Sequence, residues 1–350
     1  MMKQLLRSIY RKLPLPLAIL ARNLYNIHTR LWGHRIGKLE GIAYQQLKLC
    51  YITGRLDVRF LRMEVLLYYA NPAHMAMLDE DQKNFIQKLW TDYNYEFDKN
   101  TIHPSDDYYT AIDPPQLTYE GYIEKNLCVP QVLQEGGSCY ITLNGHKIYL
   151  PMNKEKAEDY IRDAYLNFAA ADSPHTYLRP QDDGIDVPEG AIIADVGAAE
   201  GFFGIKHLDR CKKVYFFEYD YKWLRALRKT CAPHGGKVEI IEGIVGDQPG
   251  NIRLDEFFAR RNEKPGLIKM DIEGAEGRAL RGMAGLLADA FPLVLLICTY
   301  HRQEDWDNYY SMLHERFSIN SSNGYYWHLA NARPPFLRRG VMRAVKKTVT

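Results

Sequence analysis

The chain is poor in the features that would cross-link it, anchor it or make it bind polyphosphate. Its six cysteines, Cys50, Cys128, Cys139, Cys211, Cys231 and Cys298, show no C-x-x-C spacing. Neither a disulfide framework nor a zinc cluster is expected, and a reducing cytoplasm suits the composition. The uncharged stretch near the start, Leu13 to Ala21, contains two prolines and falls far short of the roughly 20 residues that span a bilayer. There is no internal repeat and no low-complexity segment. The formal charge of +2 is small, but it is unevenly distributed: residues 1–48 carry +8 and residues 331–350 carry +6, leaving −12 for the body. An acidic body excludes an extended nucleic-acid channel, so no nucleic-acid partner is expected. The basic ends could touch an anionic membrane surface, giving a cytoplasmic or membrane-peripheral protein.

At 350 residues the chain is long for one simple domain. It reads as a basic N-terminal helical segment (1–40), a helical accessory domain with a linker (41–132), an α/β domain with a leading hairpin (133–335) and a basic C-terminal tail (336–350). The helical reading rests on apolar residues three and four apart in "FLRMEVLLYYA" and "NFIQKLWTDYNYEF". "CYITLNGHKIYLP" is a hairpin whose two alternating runs flank Asn144-Gly145, and a helix from about Lys154 to Ala170 follows. From Ala191 onward strands are expected at about 191–197, 213–219, 237–243, 266–272 and 293–300, with helices after the first two and the fourth. Several of these strands are apolar on both parities, as in a parallel sheet covered on both faces. A doubly wound, mostly parallel α/β sheet follows.

Such sheets bind ligands outside the carboxyl ends of their strands. The first strand runs into Asp195-Val196-Gly197-Ala198-Ala199-Glu200-Gly201, a turn of small residues that lets a ligand approach the backbone. This loop has neither the G-x-G-x-x-G of a dinucleotide site nor a following G-K-[ST]. Two carboxylates flank it, which repels phosphate and favours S-adenosylmethionine, a donor with an ammonium and a sulfonium. Glu218, ending the second strand, can accept hydrogen bonds from both ribose hydroxyls, with Tyr219 beside it. After the third strand, Ile244, Val245 and Asp247 suit an adenine ring and its amine. On the fourth strand, parity places Lys269, Asp271 and Glu273 on one side, and a lysine in an apolar strand requires a carboxylate partner. Glu276 reads as an acid in the first turn of a helix. Tyr300 and His301 end the fifth strand at the same rim, where a histidine is the natural base for a hydroxyl acceptor. That strand supplies no paired acids, so no metal is expected.

These residues resemble the FkbM-type methyltransferases over about Gly137 to His301. "DVGAAEGFF", "FEYD", "LIKMDIEGAEGRALRGM" and "YHRQED" carry the resemblance. It implies a Rossmann-like class I methyltransferase domain with a seven-stranded sheet, with S-adenosylmethionine as donor and S-adenosylhomocysteine as product. It also implies that Asp195, Gly197, Glu200, Gly201 and Glu218 hold the donor, with Asp271 beside the transferred methyl. The family mostly methylates hydroxyls of sugars and natural products, so a sugar or glycan acceptor, free or lipid-linked, is expected. RNA ribose, a protein side chain or a non-catalytic donor-binding scaffold are the alternatives. In the catalytic reading His301 is the base, Asp271 orients acceptor or donor, and Lys269 stabilises charge on the acceptor oxygen. An oligomer is compatible with all of this.

Overall fold

The computed structural model describes residues 72–87, 130–164, 187–321, 326–327 and 337–347. The chain divides into two compact units, Met1–Thr118 with Trp327–Leu337, and Tyr119–Tyr326 with Arg338–Thr350. In the first unit the described residues are helical at Pro72–Met75 and 80–87. The second of these helices starts with a reciprocal cap. The Asp79 amide donates to Gln82 Oε1 (3.0 Å) and the Gln82 amide to Asp79 Oδ1 (2.8 Å), so two amides that the first turn leaves unpaired are satisfied. The basic segment 1–40, the linker at 100–121 and the rest of the expected helical region lie outside the described residues.

The second unit opens with a three-stranded antiparallel sheet: β1 (Leu133–Glu135), β2 (Ser138–Leu143) and β3 (His146–Leu150). Asn144 and Gly145 both take positive φ, 48° and 82°, the geometry of a two-residue turn whose twist matches the strands. β1 is an addition to the expected hairpin, joined through Gly136 and Gly137, also at positive φ. Helix α1 (Lys154–Ala164) follows; residues 165–170 of the expected helix lie outside the described residues.

The main sheet contains β4 (Ile192–Val196), β5 (Lys213–Glu218), β6 (Val238–Glu242), β7 (Leu267–Met270), β8 (Val294–Cys298), β9 (Phe317–Ser321) and β10 (Val341–Lys346). Their order is β6-β5-β4-β7-β8-β10-β9. β4 to β8 pair in parallel, and β10 runs antiparallel between β8 and β9. This is the expected doubly wound, mostly parallel sheet with seven strands, and its strand order reverses between β4 and β7. Its helices are α2 (Phe202–Lys206), α3 (Tyr221–Cys231), α4 (Leu254–Arg261), α5 (Glu276–Arg281), α6 (Ala284–Ala288) and α7 (Asp305–Leu313). α4, after the third strand, is absent from the sequence expectation.

The basic tail expected at 336–350 is corrected: residues 341–346 form an interior strand. Val341, Met342 and Ala344 are buried, and so is Arg343, with no exposed surface. The basic residues concealed an apolar run that fits a two-faced sheet position. On one face of the sheet, buried Tyr215, Phe217, Phe257 and Phe258 meet edge to face, with centroids 5.0–5.8 Å apart, the preferred aromatic arrangement. No helix among the described residues is long and apolar enough to cross a membrane.

Candidate active site

The loop after β4 is fixed by the strand beside it. The amides of Gly197 and Ala198 both donate to the Phe217 carbonyl, at 3.0 and 3.1 Å. Gly197, Ala199 and Gly201 all take positive φ, and at Gly197 glycine is obligatory because a Cβ would collide with the Asp271 carbonyl oxygen. That close approach brings the β4 loop against the end of β7, and the Asp271 amide completes it by donating to the Val196 carbonyl (3.1 Å).

Asp195 lies beneath the loop, with no exposed surface. Its Oδ2 accepts from the Gly204 amide (3.2 Å) and its Oδ1 lies 3.1 Å from Lys269 Nζ, which also donates to the Gly197 carbonyl (2.7 Å). Burial works against the ammonium, but Asp195 and Asp271 outweigh it and raise the Lys269 pKa. Lys269 thus finds the carboxylate its strand position required, but the partner is Asp195 and not Asp271. Two expectations are corrected. Asp195 supports the loop from below, and Lys269 is engaged with Asp195 and the loop backbone, with 3% of its side chain exposed, not directed at an acceptor oxygen.

Glu218 and Glu200 flank the loop differently. Glu218 accepts from three backbone amides, those of Ala199 (2.9 Å), Tyr219 (2.7 Å) and Asp220 (2.8 Å). It holds Ala199 in its positive-φ conformation while ending β5. Glu200 is buried, and its Oε2 accepts from the Tyr160 hydroxyl (2.7 Å); burial pushes its carboxyl up to about 7.

At the neighbouring strand ends, Tyr219 and Ile244 are exposed, two apolar groups leaving adjacent parallel strands at one edge. Val245 is buried and Asp247 is paired with Arg281 Nε at 2.6 Å. The Arg281 hydrogen bond lowers the Asp247 pKa. Of the residues expected around an adenine, the structure therefore exposes Ile244, and Tyr219, expected beside the ribose acid, adds a second exposed apolar group. It places Val245 in the core, where the Val245–Ile252 bridge turns it inward.

The rim at β7 and β8 gathers four ionisable groups. Nε2 of His301 lies 3.3 Å from Asp271 Oδ1 and 3.7 Å from Glu273 Oε2, and its Nδ1 lies 3.2 Å from Glu276 Oε1. The Tyr300 hydroxyl is 3.4 Å from both Asp271 carboxylate oxygens. Glu276 is fully buried; it accepts from the Ile272 amide (2.8 Å), and the Tyr309 hydroxyl is 3.5 Å away. It is thus more than an acid in a first helical turn, because it closes the β7–α5 turn and holds His301. Burial disfavours a charged His301, yet Glu276, Asp271 and Glu273 outweigh it and raise its pKa to about 9. The histidine expected to be a base therefore holds its proton at neutral pH in this arrangement, and the proton-accepting atoms at the rim are carboxylate oxygens. Ligand atoms of Asp271, Glu276 and His301 lie within 4.8 Å of one another, a set that could hold a cation. Strand five supplies no paired acids; Glu276 arrives from the helix after strand four.

Tyr160 was missed from sequence. It lies on α1, ahead of the sheet, and no local motif marks it. The same is true of the Glu276–His301 contact, which joins residues 25 positions apart in the chain.

Residues 229–325 match the Methyltransferase FkbM domain. With that match the chain is an S-adenosylmethionine-dependent methyltransferase. The FkbM match includes the β7–α5 turn and His301; the β4 loop and Glu218 precede it. No curated protein matches the chain by sequence. Among solved structures, an rRNA methylase from Streptococcus thermophilus is similar at 15% identity, over 47% of this chain and 90% of that one, with a TM-score of 0.32. A fibrillarin/Nop5p complex is similar at 12% identity, over 62% and 98%, with a TM-score of 0.37. Precorrin-6y C5,15-methyltransferase from Geobacter metallireducens is similar at 10% identity, over 49% and 86%, with a TM-score of 0.32. Likenesses this distant carry no inference about what this chain methylates.

The residues present fit the donor. The flanking carboxylates suit cationic groups, and exposed Tyr219 and Ile244 offer apolar surface to a base.

Proposed function

We propose that the chain is an O-methyltransferase whose acceptor is a hydroxyl of a sugar, polysaccharide or related natural product. The observation that carries this reading is the abutment of two sites. The Asp271 carbonyl packs against Gly197, so the acidic rim of Asp271, Glu273 and His301 stands next to the donor loop. A neutral, hydroxyl-rich acceptor suits such a rim, whereas a polyanion must approach the Asp271 and Glu273 carboxylates on a body of net charge −12.

Bound S-adenosylmethionine supplies an electrophilic methyl group, which leaves its sulfonium for the acceptor oxygen. The protein's part is to position the acceptor and receive one proton. Asp271 is the group placed to do both: its carboxylate accepts the acceptor's O–H hydrogen bond and takes the proton as the oxygen–carbon bond forms. The His301 imidazolium orients that carboxylate, and Glu276, behind the ring, orients His301. Lys269 and Asp195 keep the donor loop seated against β7.

The test uses radiolabelled donor with a panel of glycans, glycosides, RNA and protein acceptors. Label transferred to hydroxyl-bearing glycans in a form stable to base supports the reading. Label in RNA or protein alone removes it. Donor binding with no transfer to any class would favour a non-catalytic scaffold.

A further inference from the structure

Tyr160 belongs to a segment ahead of the main sheet and outside the FkbM match, yet it reaches the donor loop. The segment is firmly attached. The Tyr149 amide of β3 donates to Thr230 Oγ1 of α3 (2.9 Å), and Lys229 Nζ of α3 donates to Ser138 Oγ of β2 (2.5 Å). Asn153 Oδ1 then accepts from the Lys156 amide (3.1 Å), capping α1 as its chain turns over the sheet's edge. About two turns later the Tyr160 ring lies 5.5 Å from the Trp223 ring of α3, and its hydroxyl donates to Glu200 Oε2.

This hydrogen bond leaves a charge to be matched. Glu200 is 7% exposed, and the groups that act on it are Tyr160 from α1, Lys269 from β7 and Asp195 from β4. Lys269 is in contact with Asp195 and the Gly197 carbonyl, and Tyr160 is a neutral phenol. A buried carboxylate held by a neutral donor gains from a cation placed on its free lone pairs. The ligand of this loop brings one, the ammonium of its amino-acid end.

We propose that Tyr160 and Glu200 form the subsite for the donor's ammonium, with the segment ahead of the sheet building one wall of the donor site. The proposal rests on the donor reading above. Tyr160 is a positioning residue, fixing the rotamer of Glu200, and Glu200 makes the contact.

Calorimetric titration of the full chain tests this with two probes. One is S-adenosylhomocysteine; the other is methylthioadenosine, which keeps nucleoside and sulfur but lacks the amino-acid end. Glu200→Gln and Tyr160→Phe should each weaken S-adenosylhomocysteine about tenfold, the scale of a charge-assisted hydrogen bond, and leave methylthioadenosine within about twofold. The double variant should be no weaker than Glu200→Gln alone. S-adenosylhomocysteine affinities unchanged in both variants would overturn the subsite while leaving the donor standing. Equal losses for both probes would also overturn it, since the whole site would then have deformed. Wild-type protein that binds neither probe would remove donor reading and subsite together. Glu200→Gln preserves shape at a second position, so the test survives if loss of the Tyr160 hydroxyl impairs folding.

Discussion

The rim at the carboxyl ends of the strands carries negative charge on two sides, over β5 and over β7 and β8, and the two sides hold it by different means. At the end of β5, Glu218 accepts from three main-chain amides. Its position is set by the backbone, and none of those partners titrates. At the ends of β7 and β8, Asp271, Glu273 and Glu276 converge on one imidazole, so the arrangement depends on a single proton. A donor that always has the same shape is suited by the first construction. A hydroxyl that must lose a proton is suited by the second, where charge can move.

The sharpest way to separate the two sides is to remove the imidazole. His301→Ala removes the group that orients the Asp271 carboxylate and should lower turnover about 10²-fold, the low end of the range for a positioned acid–base group, while S-adenosylhomocysteine binding stays within about twofold. Unchanged turnover would dismiss the β7–β8 side from the chemistry, and a parallel loss of donor binding would mean that the sides are not independent.

Between the two sides lies the Asp195–Lys269 pair. Lys269→Met leaves a carboxylate without exposed surface and without its cation, and removing one partner of a buried pair costs about 3–5 kcal/mol. Urea unfolding should show that loss. A stability matching wild type would show that Asp195 finds other compensation, and the loop would not depend on the pair.

This pair also shows how far the sequence could be read. Lys269 in an apolar strand demanded a carboxylate, and strand parity offered Asp271; the β4–β7 register, which pairs Asp195 with Lys269 directly, supplies Asp195 instead. Four of the five parallel strands were legible because burial on both faces leaves them mostly apolar; β6, at the sheet's edge, is poorer in apolar residues and only half-buried. α4 was not, because "LDEFFARR" between turns is too short for periodicity to dominate. β10 was hidden by its own charges, and Tyr160 by distance along the chain, since Tyr160 and Glu200 are 40 residues apart. Among the site residues, those whose role is set by the end of a strand were readable. Those that act through long-range contact, Glu276 on His301 and Tyr160 on Glu200, were not.

The dependence of the rim on one proton predicts a pH signature. The His301 pKa in the fold is about 9, above the ordinary value of about 6.5 for an unfolded chain. Its contribution to stability is therefore fully present below about pH 6.5 and is lost as pH rises through 9, on the order of 3 kcal/mol. Wild type should lose stability across that window and His301→Ala should lose less. Curves that run parallel from pH 6 to pH 10 would show that His301 is not held as an imidazolium. Glu276→Gln, which removes the Nδ1-side carboxylate, should shift the loss to lower pH.

The smallest effect is expected where a sequence expectation and the structure part company at the donor edge. Asp247 was read as a contact for the adenine amine, but it stands 2.6 Å from Arg281 Nε, whose side chain is 53% exposed. Exposed pairs contribute little, so Arg281→Ala should leave the melting temperature within about 2 °C. Because Asp247 is engaged by Arg281 and the apolar surface at this edge comes from Tyr219 and Ile244, Asp247→Ala should leave S-adenosylhomocysteine affinity within about twofold. Tyr219→Ala should weaken it more, by the loss of base–aromatic contact. The reverse ranking would return the adenine to Asp247 and make the Arg281 pair a feature of the ligand-free state. The edge would then resemble the rim, holding its carboxylate by a partner that the ligand displaces.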